Sequence, residues 1–152
     1  MTAITVVVTQ GVHASVLDHL RRGGCRVIDN QAGDPIGPAE LRRRCADADA
    51  LIAFMSDRID AGLLAACPRL GLVAAALKGY DNIDRDACSR HGVALSIVPD
   101  LLTAPTAELA IGLLIGLGRH LRQGDALVRS GGFTGWRPIL YGSGLDGSTV
   151  GI

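Results

Sequence analysis

Apolar residues concentrate in five short strand-like segments, at 4–8, 26–29 (where charged Arg26 and Asp29 flank Val27-Ile28), 50–54, 72–77 and 93–98. The first, Ile4-Thr5-Val6-Val7-Val8, is β-branched throughout, the pattern of a strand buried on both faces. Helical spacing fills the gaps. Val16, Leu17 and Leu20 share one face of a helix over 14–22, which Gly23-Gly24 stops. Turn residues at 34–37 lead into Pro38, which opens a helix over 38–46. A short helix over 60–66 closes at Cys67-Pro68. Asp84 caps a helix that runs to His91, and Gly92 ends it. Strand and helix alternate throughout, which predicts an α/β domain: a flavodoxin-like, parallel five-stranded sheet with helices on both faces and right-handed crossovers.

After residue 99 the pattern changes. Residues 99–105 form a stiff connector, and Pro105 starts a long helix. Residues 107–118 are apolar on nearly every side, so this helix is expected to be buried all round, between domains or between subunits. Gly112, Gly116 and Gly118 leave flat patches for a second backbone. Arg119, His120 and Arg122 place cations where the helix dipole favours them. Residues 131–138 form a glycine-rich arm carrying Trp136, with Tyr141 close behind. Residues 148–152 read as a strand just beginning. The expected division is a domain over 1–99, a hinge and interface helix over 100–130, and an arm with the start of a second domain over 131–152. A chain that stops in mid-strand is expected to be a fragment.

Composition narrows the function classes. A length of 152 residues fits one domain, or one domain and a piece of another. Fifteen basic and fifteen acidic residues cancel, which leaves no electrostatic case for nucleic acid or an anionic membrane. Arg42-Arg43-Arg44 reads as a solvated helix face. The apolar stretch 107–118 is too short to span a bilayer, and the first residues lack signal-peptide features. Cys25, Cys45, Cys67 and Cys88 are spread without a Cys-x-x-Cys pair. That argues against zinc or redox chemistry and fits reduced, packed thiols in a cytoplasmic protein with no bound metal.

The candidate chemistry lies at the end of the fourth run. Lys78 follows the apolar residues directly, and Gly79 lets a ligand approach the backbone. Ligands of open α/β sheets bind beyond the carboxyl ends of strands. A hydrated ammonium on a flexible stem suits a compact anion. Met55 occupies a similar strand end. Thr106 and Glu108 fit capping and dipole roles at a helix start, and Trp136 and Tyr141 fit interface anchors. His13, His19, His91 and His120 read as exposed or capping residues.

Several stretches carry a resemblance: 53–58 (Ala-Phe-Met-Ser-Asp-Arg), 76–84 (Ala-Leu-Lys-Gly-Tyr-Asp-Asn-Ile-Asp), 98–103 (Val-Pro-Asp-Leu-Leu-Thr), Thr106-Ala107-Glu108 leading the apolar helix, and Gly135-Trp136 with Tyr141-Gly142. The chain resembles the N-terminal part of NAD-dependent D-2-hydroxyacid dehydrogenases. Within them it is most similar to the phosphonate (phosphite) dehydrogenase group, because a lysine before the loop glycine marks that group. The resemblance implies that residues 1–99 are the substrate (catalytic) domain and that 131–152 begin a truncated Rossmann-type NAD-binding domain. It implies oxidation of phosphite to phosphate with hydride transfer to NAD. Lys78 would be the catalytic residue, holding phosphite and orienting the nicotinamide. Gly79 would add backbone donors, and Met55, Leu77 and Leu102 would wall the pocket. Thr106 would touch the cofactor, and Trp136 and Tyr141 would reach a partner in a homodimer. The dinucleotide fingerprint is expected to begin after Ile152. The catalytic arginine, glutamate and histidine are expected further on, so the 152 residues alone are expected to be inert.

The alternatives are a conventional D-2-hydroxyacid dehydrogenase, a flavodoxin-like signalling receiver and a non-enzymatic scaffold. The receiver needs an acidic pair after the first strand, where this chain has Thr9-Gln10.

Overall fold

The computed structural model describes residues 3–151. The chain forms two compact units, Met1–Asp100 and Leu101–Ile152. The first is built on one five-stranded sheet in the order β2-β1-β3-β4-β5, with all neighbouring pairs parallel. The strands are β1 (Thr5–Val8), β2 (Arg26–Ile28), β3 (Ala50–Ala53), β4 (Leu72–Ala75) and β5 (Ala94–Ser96). Between them run α1 (Ala14–Arg22), α2 (Pro38–Cys45), α3 (Ala61–Ala66) and α4 (Arg85–Arg90). This is the α/β architecture the alternating pattern predicts, with β1 buried along its whole length.

Alternate residues of β1 point into two cores. Val7 joins Leu51, Ala53, Val73 and Ala75 under α2, α3 and α4. Val6 and Val8 join Leu17 of α1, with Ile52 and Phe54 packed against them. Helices therefore cover both faces, α1 on one and the other three opposite. The small side chains of this sheet let the helices sit close, which suits a core with few aromatics.

Four strands stop short of their expected ends, β3 at Ala53 rather than Phe54. β4 ends at Ala75 rather than Leu77, because its neighbour β3 ends at Ala53 and the ladder has one further bond, Ala76 N–H to Ala53 O at 2.9 Å. β5 ends at Ser96 rather than Val98, although Val98 N–H still reaches Leu77 O at 2.8 Å. β2 ends one residue early, at Ile28. An apolar residue past the last ladder bond packs on the core without being a strand.

The second unit holds α5 (Thr103–Gly118) and α6 (Leu121–Arg129). α5 begins two residues before the expected Pro105, which falls in its first turn, where a missing N–H costs nothing. None of its residues is buried by its own chain, and Leu117 is 79% exposed; the burial expected for this helix lay against a second domain or subunit. Within its own unit the helix has too little partner surface. Of its three glycines only Gly118 meets another backbone, that of Ser143, whose N–H donates to Gly118 O at 2.7 Å. His120 (φ +53°) breaks the chain between the helices, and α6 was not expected. Residues 131–151 form no helix or strand, so the strand expected over 148–152 is absent from 148–151; Ile152 lies outside the described residues, as do Met1 and Thr2. A strand requires a partner ladder, and none is available to that segment among the described residues. No helix among the described residues is long and apolar enough to cross a membrane.

The scaffold can be probed at its caps and its thiols. The Asp60 carboxylate accepts Leu63 N–H at 3.0 Å and caps α3, and Asp84 does the same for α4 through Ala87 N–H at 2.8 Å. The Leu63 N–H, then Arg58, hold the Asp60 carboxyl below its ordinary value of 3.8. Its folded-state value lies below its unfolded one, so the stabilisation is present above pH 3.8 and fades as pH falls through the folded value. Asp60→Ala will cost about 1 kcal/mol in urea unfolding at pH 7, and Asp60→Asn much less. The gap between wild type and Asp60→Ala will narrow in acid. Burial pushes the Cys45 thiol up to about 12 and raises those of Cys67 and Cys88. A thiol reagent at about pH 8 will therefore label half-buried Cys25 in the native chain, and the other three only after unfolding.

Candidate functional site

In a parallel sheet every strand delivers its next loop to the same edge. The register pairs Ala53 with Ala75, so the segments after β3 and β4 leave side by side. Met55, 79% exposed, and exposed Lys78 and Gly79 all lie at this edge. A Cβ on Gly79 would meet no described atom within 4 Å, so a ligand can come close to the backbone there. Leu77 is different. Its side chain packs against the main core, and its carbonyl accepts Val98 N–H, so it anchors the segment from below. Lys78 is solvated on this unit and is not set in a dry cleft formed by it.

Behind this exposed lip lies a partly buried polar network whose members Asp57 and Asn82 lie in the stretches 53–58 and 76–84 but were not expected to have a role of their own. Asp57 is 2% exposed. Its Oδ2 accepts the Thr9 hydroxyl and, at 2.7 Å, Phe54 N–H. Its Oδ1 has no hydrogen-bond partner among the described residues, a desolvation cost of roughly 1–3 kcal/mol. Asn82 Nδ2 donates to Phe54 O at 3.1 Å and to Asp57 O at 2.6 Å. Asn30 Nδ2 donates to Thr9 O at 2.9 Å and Asp34 O at 2.8 Å. Gln10 Nε2 donates to Ser56 Oγ at 2.8 Å. The Thr9 and Asp57 pair sits at the ends of β1 and β3, where the strand order reverses. That crevice commonly receives ligands in such sheets. Here it is stitched shut, and the open edge lies at β4. Thr9 and Asp57 are 48 positions apart, so no local pattern links them.

A cavity of about 170 Å³ lies near Asn82, but Asp60, Asp81 and Asp84 line it against the one cation Arg58, a net-negative lining that disfavours an anion. Among the described residues no group of three or more His, Cys, Asp or Glu could hold a metal ion.

The remaining candidates belong to the second unit. Leu102 is the residue before α5, half exposed. Thr106 lies inside the helix, its N–H bonded to Leu102 O at 3.1 Å, so it does not cap. Trp136 is 85% exposed, and Tyr141 nearly as much. The Tyr141 carbonyl lies 3.0 Å from His120 Nε2. Gly142, Gly144 and Gly147 have the Gly-x-Gly-x-x-Gly spacing of a dinucleotide loop, a match that the sequence expectations do not include. No strand precedes them and no helix follows among the described residues, so the spacing lacks the context that gives it meaning.

Comparison with known proteins agrees with this architecture. The family model for the catalytic domain of D-isomer specific 2-hydroxyacid dehydrogenases matches residues 3–150. The chain is 37% identical over 126 residues to glyoxylate reductase of Thermococcus litoralis, covering 78% of this chain and 38% of that protein. It is 37% identical over 134 residues to human glyoxylate reductase/hydroxypyruvate reductase, covering 87% and 41%. A solved protein of Thermus thermophilus superimposes with a TM-score of 0.86 at 33% identity, over 91% of this chain and 45% of that one. The putative NAD-binding D-isomer specific 2-hydroxyacid dehydrogenase of Polaromonas gives 0.87 at 27%, over 95% and 46%. The chain thus spans about two fifths of the length of the curated relatives it matches. It belongs to the D-isomer specific 2-hydroxyacid dehydrogenase family, as a catalytic-domain chain.

Proposed function

We propose that this chain is the substrate-binding portion of an NAD-dependent dehydrogenase acting on a small 2-oxo acid of the glyoxylate and hydroxypyruvate class. The observation that carries this is the exposed Lys78-Gly79 pair at the carboxyl edge of β4, in a chain whose relatives include glyoxylate reductases. The overall change is 2-oxo acid plus NADH plus a proton giving the 2-hydroxy acid and NAD. When bound, the nicotinamide supplies the hydride. The described residues do not form a dinucleotide cradle, and the chain's own task is to hold the acid. The Lys78 ammonium attracts its carboxylate, and the open backbone at Gly79 lets it come close. Met55 supplies apolar surface at the same edge. The exposed apolar face of α5 and the aromatic pair Trp136 and Tyr141 suit contact with a second subunit.

One feature favours a second reading, oxidation of phosphite to phosphate. It is the lysine before the loop glycine, together with the stretch 53–58. A tetrahedral oxyanion and a planar carboxylate make similar demands on one ammonium, so geometry at Lys78 serves both. The relatives named above weigh toward the 2-oxo acid.

Kinetics separate the two readings. The chain extended to the length of its relatives should reduce glyoxylate or hydroxypyruvate with NADH far faster than it oxidises phosphite with NAD. Phosphite turnover exceeding that of every hydroxyacid tested would reverse the assignment. Lys78→Ala should raise KM for the 2-oxo acid about tenfold, the low end of a charge-assisted hydrogen bond at an exposed position. An unchanged KM would remove Lys78 from the site.

A further inference from the structure

Asp57 is a buried carboxylate for which substrate binding at Lys78 has no direct use. Its surroundings point to an indirect one. The Phe54 N–H donates to Asp57 Oδ2, and the Asp57 N–H donates back to Phe54 O at 3.0 Å. Residues 54–57 therefore close into a turn, and the Thr9 hydroxyl holds the carboxylate against the end of β1. The turn presents two carbonyls, those of Phe54 and Asp57, to the single amide Nδ2 of Asn82. The Asn82 carbonyl in turn accepts Ile59 N–H at 3.0 Å, and the Ile83 N–H ties back to Tyr80 O at 2.9 Å. On its other side the same loop is fixed where Val98 N–H meets Leu77 O. Lys78 and Gly79 thus stand on a short span clamped at both ends.

We infer that Asp57 and Asn82 are positioning residues for the anion-binding loop. The carboxylate shapes the 54–57 turn, the turn seats Asn82, and Asn82 sets where Lys78 and Gly79 meet the substrate. This rests on the function proposed above for Lys78. It adds two residues that touch neither substrate nor cofactor. A carboxyl oxygen suits the first task because its two lone pairs can accept the Thr9 hydroxyl and the Phe54 N–H together. Asn82 suits the second because one planar NH2 group can reach two carbonyls at once.

The test uses the isotope-labelled 152-residue chain, with Asn82→Ala, Asp57→Ala and the conservative Asp57→Asn. Thermal unfolding checks each fold. Amide hydrogen exchange and chemical shifts at 77–81 report the loop. Titrations with glyoxylate and with phosphite report affinity. Expected is faster exchange and shifted resonances at 77–81 with β1 and β3 unchanged. With them, anion affinity should fall about tenfold or more for Asn82→Ala. Asp57→Asn should keep part of the affinity that Asp57→Ala loses; should Asp57→Ala not fold, Asn82→Ala and Asp57→Asn carry the comparison. Variants that only melt earlier, with wild-type loop resonances and affinity, would overturn the inference. If the wild-type chain binds neither anion, the proposed function fails. The exchange data still decide, separately, whether Asp57 and Asn82 hold the loop.

Discussion

Three adjacent strands buried in a parallel ladder govern this molecule. β1, β3 and β4 have neighbours on both sides, and each must be followed by a crossover before the next can pair. All their carboxyl ends therefore emerge at one edge. Every N–H and carbonyl left over where the ladder stops needs a partner. The chain meets that demand with side chains: Thr9, Asn30, Asp57 and Asn82 take up backbone groups of the turns that follow the strands. The polar network is thus a consequence of the sheet, and the loop that carries Lys78 inherits its position from it.

This gives the first unit a division of labour. The crevice where the strand order reverses is closed by hydrogen bonds, and the candidate residues Lys78 and Gly79 lie one strand along, on a lip that is exposed but tethered. A site of this kind can be well positioned and yet accessible to a small anion. The second unit obeys a different rule. α5 is too apolar for water and too poorly covered by its own unit, so its sequence makes sense as surface that meets another body. The matched relatives are more than twice this chain's length.

Much of the fold was legible because single residues carried it. The β-branched run at 5–8 announced a doubly buried strand, Asp84 announced its helix, and Gly92 announced that helix's end with φ +70°. Strand ends were overrun because Ala76, Leu77, Ile97 and Val98 stay apolar past the ends of β4 and β5, where single bonds such as Ala76 N–H to Ala53 O and Val98 N–H to Leu77 O outlast the regular ladder. α6 was missed because the break before it falls on His120, held left-handed with its ring beside the Tyr141 carbonyl, with no glycine or proline to mark it. The exposed lip at the carboxyl edge of β4 was readable from Lys78 and Gly79. Its support was not. Asp57 and Thr9, or Asn82 and Phe54, look like ordinary loop residues until the sheet brings positions 48 and 28 apart together.

The most direct test of the account is a crystal structure of the chain grown with oxamate, a planar mimic of a small 2-oxo acid. The account predicts the oxamate carboxylate at the carboxyl edge of β4, against Lys78 and the Gly79 backbone. Oxamate bound instead at the closed β1–β3 crevice, with Lys78 and Gly79 untouched, would contradict it.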